Sequence, residues 1–121
     1  MPLSSLHQQL TQIASRFQRF ECVECADAIR QFLNTQGIPG KQILLFTGST
    51  QKPFCNIYCD LLQQNISING RHTAIVVNLN GQEWVFDNIH PQGISRVDWI
   101  NSFYSPVLDL GGEFQMTETE F

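Results

Sequence analysis

The segment Phe20-Glu21-Cys22-Val23-Glu24-Cys25-Ala26-Asp27-Ala28-Ile29 places two cysteines at the start of a predicted amphipathic helix, about residues 22–36. Gly37 and Pro39 end the pattern, because glycine is typical just after a helix and proline prevents its continuation. A cysteine in the first turn is favoured as a thiolate by the unpaired N–H groups and the helix dipole. A thiolate attacks carbonyl carbon, which a thiol hardly does. One face of this helix contains Cys25, Ile29, Phe32, Leu33 and Gln36.

The composition indicates a globular protein with a sizeable core. The 121 residues are enough for one domain, residues 1–121, and 42% of them are hydrophobic. A net charge of −4 without a basic run argues against nucleic acid as a partner. The apolar runs are too short to cross a membrane, and the first residues do not form a signal peptide. We therefore expect the isolated chain to be cytoplasmic with reduced cysteines, unless it is normally the tail of a longer exported protein.

The remaining patterns predict an α+β fold, with N-terminal helices packed on a small antiparallel β-sheet. Asn80-Gly81 is the strongest short hairpin signal, and it joins the predicted strands His72–Leu79 and Glu83–Asp87. The other predicted elements are a helix at residues 4–19, a strand at Gln42–Thr47, a short helix or edge strand at Ile57–Gln64, a helix capped by Ser95, a strand at Glu113–Met116 and a frayed end at Thr117–Phe121.

The hairpin brings a histidine and an acidic residue together. Pairing across Asn80-Gly81 matches positions whose numbers add up to about 161. His72 then lies opposite about residue 89, which is within a residue or two of Asp87. A carboxylate beside an imidazole orients it, and the imidazole can then activate a thiol on a helix packed against the sheet. The chain order is Cys, His, Asp.

These pieces resemble the papain-like fold. More closely, they resemble the papain fold toxin 2 domains of bacterial polymorphic toxin systems. The motifs that carry the resemblance are Phe20–Ala26, Asn69-Gly70-Arg71-His72 and Val85–Pro91, followed by Gly93 and Trp99. The resemblance implies a toxin effector without a cofactor that acts on protein substrates as a cysteine peptidase or a protein-glutamine deamidase. A cognate immunity protein is a possible partner.

Carried over by position, the resemblance makes Cys25 the nucleophile, His72 the base and Asp87 the orienting acid. Cys22 is the alternative nucleophile, because it lies closer to the helix start and gains more from the dipole. Papain-like motifs place the nucleophile on the second cysteine, so Cys25 is the prediction.

Two further positions are candidates within the same site. Asn88 matches the amide that papain uses in place of the acid, although Asp87 and Asn88 face opposite sides of a strand and only one can orient the histidine. The predicted oxyanion hole is the backbone N–H of Cys25 with Gln18 as a candidate side-chain donor. His90 could flank the site.

Two alternatives to an enzyme remain at this point. The pairs Cys22-x-x-Cys25 and Cys55-x-x-x-Cys59 could supply four thiolates to a zinc ion, although the first pair lies within a helix pattern and the second lacks the glycine turns of a zinc knuckle. A catalytically inactive protein-interaction module is the other alternative. Metal ligation is not the prediction.

Overall fold

The longest strand, β4 (Arg71–Leu79), lies at the centre of the fold. The computed structural model of the chain describes residues 3–121. These residues form α1 (Leu3–Ala14), α2 (Cys22–Thr35), β1 (Lys41–Phe46), β2 (Ile57–Cys59), β3 (Gln64–Ser67), β4, β5 (Gln82–Phe86), α3 (Arg96–Asn101), β6 (Phe103–Tyr104), a 3-10 helix (Pro106–Leu110) and β7 (Gln115–Glu120).

Two antiparallel sheets give the predicted α+β, papain-like architecture. The larger sheet has the strand order β5-β4-β1-β7, and the smaller has the order β3-β2-β6. Helices α1 and α2 cover one face of the larger sheet. The smaller sheet and α3 pack against its other face.

Side chains of β4 alternate between two cores, because successive residues of a strand point to opposite faces. The helix-side core contains Leu6, Leu10, Ala14, Cys25, Ala26, Ile29, Leu33, Ile75, Val77, Leu79 and Phe86. The second core contains Ile43, Leu45, Ile57, Cys59, Ile66, Ala74, Val76, Val85, Ile89, Trp99 and Phe103.

The predicted hairpin and its register are confirmed. Ile75 pairs with Phe86 and Val76 with Val85, so paired positions add up to 161. The pairing of β4 with β5 ends at Ile75, although β4 begins four residues earlier. The first residues of β4 therefore have β1 on one side and an open edge on the other, and the site forms at that edge.

Four predicted elements differ from the structure. Helix α1 ends at Ala14 rather than at residue 19, because the chain turns through residues 15–20 and Phe20 adopts a φ of 72° before α2 starts. The Ile57–Gln64 segment contains β2 and the first residue of β3 instead of one element. The strand predicted at Glu113–Met116 lies instead at Gln115–Glu120, and the frayed end predicted from Thr117 is wrong, because β7 pairs with β1 along its whole length.

Candidate active site

His72 is held rigidly at the start of β4. It pairs with Leu45 of β1, and the preceding turn is fixed by a 2.7 Å hydrogen bond from the Gly70 N–H to the Cys55 carbonyl. The His72 side chain is fully buried. Its ring packs edge-on against Phe103 and is stacked with the ring of Trp99. The ring therefore has one orientation in the fold.

Asp87 follows β5 directly and meets His72 at the open edge. Its Oδ2 atom lies 2.7 Å from His72 Nε2, with both side chains fully buried. Asp87 and His72 both face the second core, as Val85 and Val76 do on the same strands. The structure thus brings together the predicted histidine and acid.

Asp87 is saturated with hydrogen-bond donors. Oδ2 also accepts the Trp99 Nε1–H at 2.8 Å. Oδ1 accepts the backbone N–H groups of Ile89 and His90 and interacts with His90 Nδ1 at 3.0 Å. Five donor atoms therefore surround one carboxylate, which compensates for its burial. Burial alone would raise the pKa of Asp87, but the bonds and charges of His72 and His90 hold it far below its ordinary range.

Sequence reasoning gave Trp99 no role and left His90 as a flanking residue. Ser95 caps α3 by accepting the Asp98 N–H at 3.2 Å, and this cap sets the helix that carries Trp99. The sequence does contain a signal for the contact between Asp87 and His90. An aspartate often accepts backbone N–H groups of the residues that follow it in a turn, and this brings the residue three positions later close to its carboxylate.

Cys22 is the cysteine whose charge interacts with His72. It is the first residue of α2 and is half-buried. Because Asp87 takes His72 Nε2, Nδ1 is the nitrogen left for the Cys22 thiol. Nδ1 is buried and has no hydrogen bond of ordinary geometry within residues 3–121.

The charges of the site favour a thiolate–imidazolium pair. Burial raises the pKa of Cys22, but interaction with the His72 ring and a hydrogen bond from the Thr73 backbone outweigh burial and bring that pKa below its ordinary value of 9.0. Burial lowers the pKa of His72, but the bonds and charges of Asp87 and Cys22 raise it to about 9. The two shifts have opposite signs, as an ion pair requires.

Cys25, the predicted nucleophile, lies in the core instead of beside His72. Its side chain is fully buried among the residues that attach α2 to the sheet. Burial, with the charges of Asp87 and Cys22, raises the pKa of Cys25 to about 12, so it stays a thiol. The structure therefore corrects the prediction that the Cys25 sulfur lies beside the His72 ring. Cys25 belongs to the apolar stripe of α2, whereas Cys22 lies one turn earlier at the open edge of β4.

Asn88 and Gln18 form a tether instead of the predicted roles. The Asn88 amide donates to the Gln18 carbonyl at 2.7 Å, so Asn88 does not orient His72. The Cys25 N–H donates to the Glu21 carbonyl at 3.0 Å and is not free for an oxyanion. The Gln18 side chain is exposed. The tether fixes the loop that leads into α2, and through it the position of Cys22.

The four cysteines do not converge. Cys25 lies in the helix-side core and Cys59 in the second core, on opposite faces of the larger sheet. Over the described part of the chain, no group of three or more His, Cys, Asp or Glu side chains could hold a metal ion. All four cysteines are free. The two cysteine pairs therefore cannot form the four-thiolate site considered above.

A groove of about 280 Å³ opens at Cys22. Its walls contain the exposed apolar side chains Phe20, Val23 and Ile68. Arg71, which is also exposed, lies at the same groove and stacks on the Phe46 ring. The half-buried thiol can therefore be reached from solvent through a surface that suits an apolar chain segment.

The family model for papain fold toxin 2 matches residues 5–104, a span that contains Cys22, His72, Asp87 and Trp99. The chain belongs to the papain fold toxin 2 family. This confirms the resemblance on which the site prediction depends, and it indicates a toxin with a papain-like fold and a cysteine-type enzyme. No curated protein and no solved structure matches the chain. No helix within residues 3–121 has the length and apolar character needed to cross a bilayer.

Proposed function

We propose that this papain fold toxin 2 domain is a thiol-dependent amide hydrolase that acts on protein substrates. Cys22 is the nucleophile, His72 the general base and acid, and Asp87 the group that orients the imidazole. The observation that supports the proposal is that His72 interacts with both other groups. The buried Asp87 carboxylate lies 2.7 Å from Nε2, and the half-buried Cys22 thiol interacts with the ring from the Nδ1 side.

The first half-reaction breaks the amide bond. His72 Nδ1 takes the Cys22 proton, and the thiolate sulfur attacks the carbonyl carbon of the substrate. The tetrahedral intermediate collapses when the imidazolium returns the proton to the leaving nitrogen. The products are an amine, or ammonia, and a thioester on Cys22. Asp87 stabilises the imidazolium while it holds the proton.

The second half-reaction releases the acid. His72 removes a proton from water, and the hydroxide oxygen attacks the thioester carbon. The Cys22 sulfur leaves and recovers the charged state of the starting ion pair. If the amide is a glutamine side chain, the products are glutamate and ammonia; if it is a backbone amide, the products are two peptides.

Oxyanion stabilisation is assigned to the start of α2. The N–H groups of the first helical turn have no partner within a helix, and no side chain caps this end, because the Glu21 carboxylate accepts the Gln18 N–H. These donors lie next to the attacking sulfur of Cys22. The exposed Gln18 side chain remains a candidate second donor.

The groove at Cys22 supports a polypeptide as the substrate. Its exposed apolar side chains suit a segment that places an apolar residue next to the attacked amide. The same surface is the one that a cognate immunity protein would cover to block the thiol. The chemistry is shared by deamidase and peptidase, so product analysis decides between them.

Cysteine reactivity tests the proposal directly. The native protein is treated with a limiting amount of iodoacetamide at pH 7, and the labelled residues are mapped by peptide mass spectrometry. We expect Cys22 to be labelled first and the His72→Ala variant to be labelled at least ten times more slowly, because the imidazolium stabilises the thiolate.

Fast labelling of Cys25 instead of Cys22 contradicts the assignment of the nucleophile. Four inert cysteines in the folded protein point to an inactive interaction module. Incubation of candidate proteins with wild type and with Cys22→Ala, followed by mass spectrometry, then separates glutamine deamidation from chain cleavage. A product formed equally by both proteins contradicts the enzyme.

A further inference from the structure

The first turn of α2 carries a second thiol behind the first. We propose that Cys22 and Cys25 form a reversible disulfide within this turn, which makes the pair a redox-modification site. A thiol oxidant or disulfide of low molecular weight closes the bond, and a dithiol reductant opens it. The effect on catalysis rests on the proposed function of Cys22, whereas formation of the bond does not.

The spacing of the two residues allows the bond. Side chains three positions apart on a helix have Cβ atoms about 5–6 Å apart, and a disulfide needs about 3.5–4.5 Å. The approach of about 1–2 Å must come from the first turn of α2. That turn has no side-chain cap, and Glu21, the residue before Cys22, has a non-helical φ of −106°.

The burial of the two sulfurs assigns their order of reaction. Cys22 is half-buried beside the groove, so an oxidant in solution reaches it first. Cys25 is fully buried behind it and meets the modified Cys22 only from within the fold. Cys59 lies in the other core and cannot substitute for Cys25.

The exchange reaction balances with oxidised glutathione as the oxidant. The Cys22 thiolate attacks one glutathione sulfur, and the other glutathione leaves as a thiolate. Burial and the charges of Asp87 and Cys22 raise the pKa of Cys25, and the Cys22 charge is absent in the mixed disulfide. Cys25 loses its proton to solvent, and its thiolate attacks the Cys22 sulfur while the second glutathione leaves as a thiolate. One disulfide is reduced and one is formed, with two glutathione molecules released.

The oxidised state has no nucleophile. The Cys22 sulfur in a disulfide carries no negative charge and has no proton to give to His72, so attack on an amide carbonyl stops. The ring closed by the bond spans only four residues and distorts a helical turn, and strained disulfides are readily reduced. The domain would therefore be inactive under oxidising conditions and become active in a reducing compartment.

The test measures the bond and its consequence separately. The whole protein is equilibrated with mixtures of reduced and oxidised glutathione, quenched with acid, and analysed by intact-mass and peptide mass spectrometry. We expect the loss of two hydrogens, a crosslinked Cys22–Cys25 peptide, and a fall of at least tenfold in labelling of Cys22 by iodoacetamide. Dithiothreitol should restore the labelling.

Two variants provide the controls. Cys25→Ala should keep the wild-type labelling rate when reduced, but should accumulate a stable glutathione adduct on Cys22 when oxidised. Cys59→Ala, which also shortens a buried cysteine, should still form the crosslink. If Cys25→Ala does not fold, Cys25→Ser takes its place, with the circular dichroism spectrum as the criterion.

A lasting glutathione adduct on Cys22 of the wild-type protein, without the crosslink, overturns the inference. So does a crosslink that involves Cys55 or Cys59. These outcomes are distinct from failure of the proposed function. A reactive Cys22 that never crosslinks contradicts only the disulfide, whereas a crosslink in a protein whose Cys22 does not respond to His72→Ala contradicts only the catalytic assignment.

Discussion

Replacing Asp87 by asparagine removes one charge from the centre of the site and keeps the shape of the side chain. The carboxylate accepts two donors at Oδ2 and three at Oδ1. An asparagine has one oxygen acceptor and an NH2 group that only donates. If the oxygen stays with the backbone N–H groups of Ile89 and His90, the NH2 group points at Trp99 and His72.

The energetic cost follows from those two contacts. The Trp99 Nε1–H only donates, so it loses its acceptor in the buried site, which costs about 1–3 kcal/mol. Burial lowers the pKa of His72, and the bonds and charges of Asp87 and Cys22 together raise it to about 9, so the variant loses the Asp87 share of that stabilisation of the imidazolium. Removal of one partner from a buried ion pair typically costs about 3–5 kcal/mol. We therefore expect the free energy of unfolding of Asp87→Asn to fall by about 3–5 kcal/mol at pH 6, measured by urea denaturation.

The variant should also lose reactivity beyond its loss of stability. In the variant, the NH2 group takes the place of Oδ2 and donates to His72 Nε2. The proton of the neutral ring then stays on Nδ1, so Nδ1 cannot accept the Cys22 proton. A thiol of ordinary pKa is only a few per cent thiolate at pH 7. The rate of iodoacetamide labelling of Cys22 at pH 7 should therefore fall at least tenfold, and the rise of the rate with pH should move to higher pH.

Asp60→Asn is the matched control, because it makes the same change of side chain at an exposed position. It should keep both the stability and the labelling profile of the wild type. If folded Asp87→Asn labels at the wild-type rate with an unchanged pH profile, the carboxylate does not govern the thiol, and the reasoning from Asp87 through His72 to Cys22 is refuted.

Three further predictions concern stability and positioning. The fold raises the pKa of Cys25 from 9.0 to about 12, so the Cys25 thiol stabilises the folded state fully below pH 9 and progressively less between pH 9 and pH 12. The free energy of unfolding should therefore fall by about 1 kcal/mol per pH unit in that range, and this slope should persist in Cys59→Ala and be absent in Cys25→Ala. Asn88→Ala should cost about 1 kcal/mol in urea denaturation and slow iodoacetamide labelling of Cys22, because the loop before α2 loses its tether; unchanged labelling would contradict the tether. Gly70→Ala should destabilise by about 3 kcal/mol, against about 1 kcal/mol for Gly81→Ala, in thermal unfolding, because both residues have positive φ but only at position 70 would the new Cβ lie 2.6 Å from a backbone oxygen; equal losses would contradict this reason.

The hairpin and the partners within it could be predicted from local sequence. Asn80-Gly81 selects a two-residue turn, the turn sets the register, and the register brings Asp87 to His72. The helical period of α2 likewise predicts which face packs on the sheet, and its members Cys25, Ile29 and Leu33 are fully buried. These features depend on interactions between residues close in the chain or on a period that local geometry imposes.

Which of the two cysteines interacts with His72 depends on the tertiary structure. The motif suggested Cys25, whereas the apolar period of α2 already placed Cys25 on the face that packs against the core. Cys22 meets His72 because β5 stops pairing with β4 at Phe86 and leaves an edge open beside the first turn of α2. The end of a strand pair and the position of a helix over it depend on contacts between distant segments.

By itself, the sequence determined the secondary-structure periods, the hairpin register, the family and the approach of Asp87 to His72. The tertiary structure alone decided which thiol faces the imidazole, that Trp99 and His90 complete the shell of Asp87, and that β7 pairs with β1. The physical reason is that spacing along a chain specifies direction only within an element. The position of one element over another is set by the packing of both cores at once.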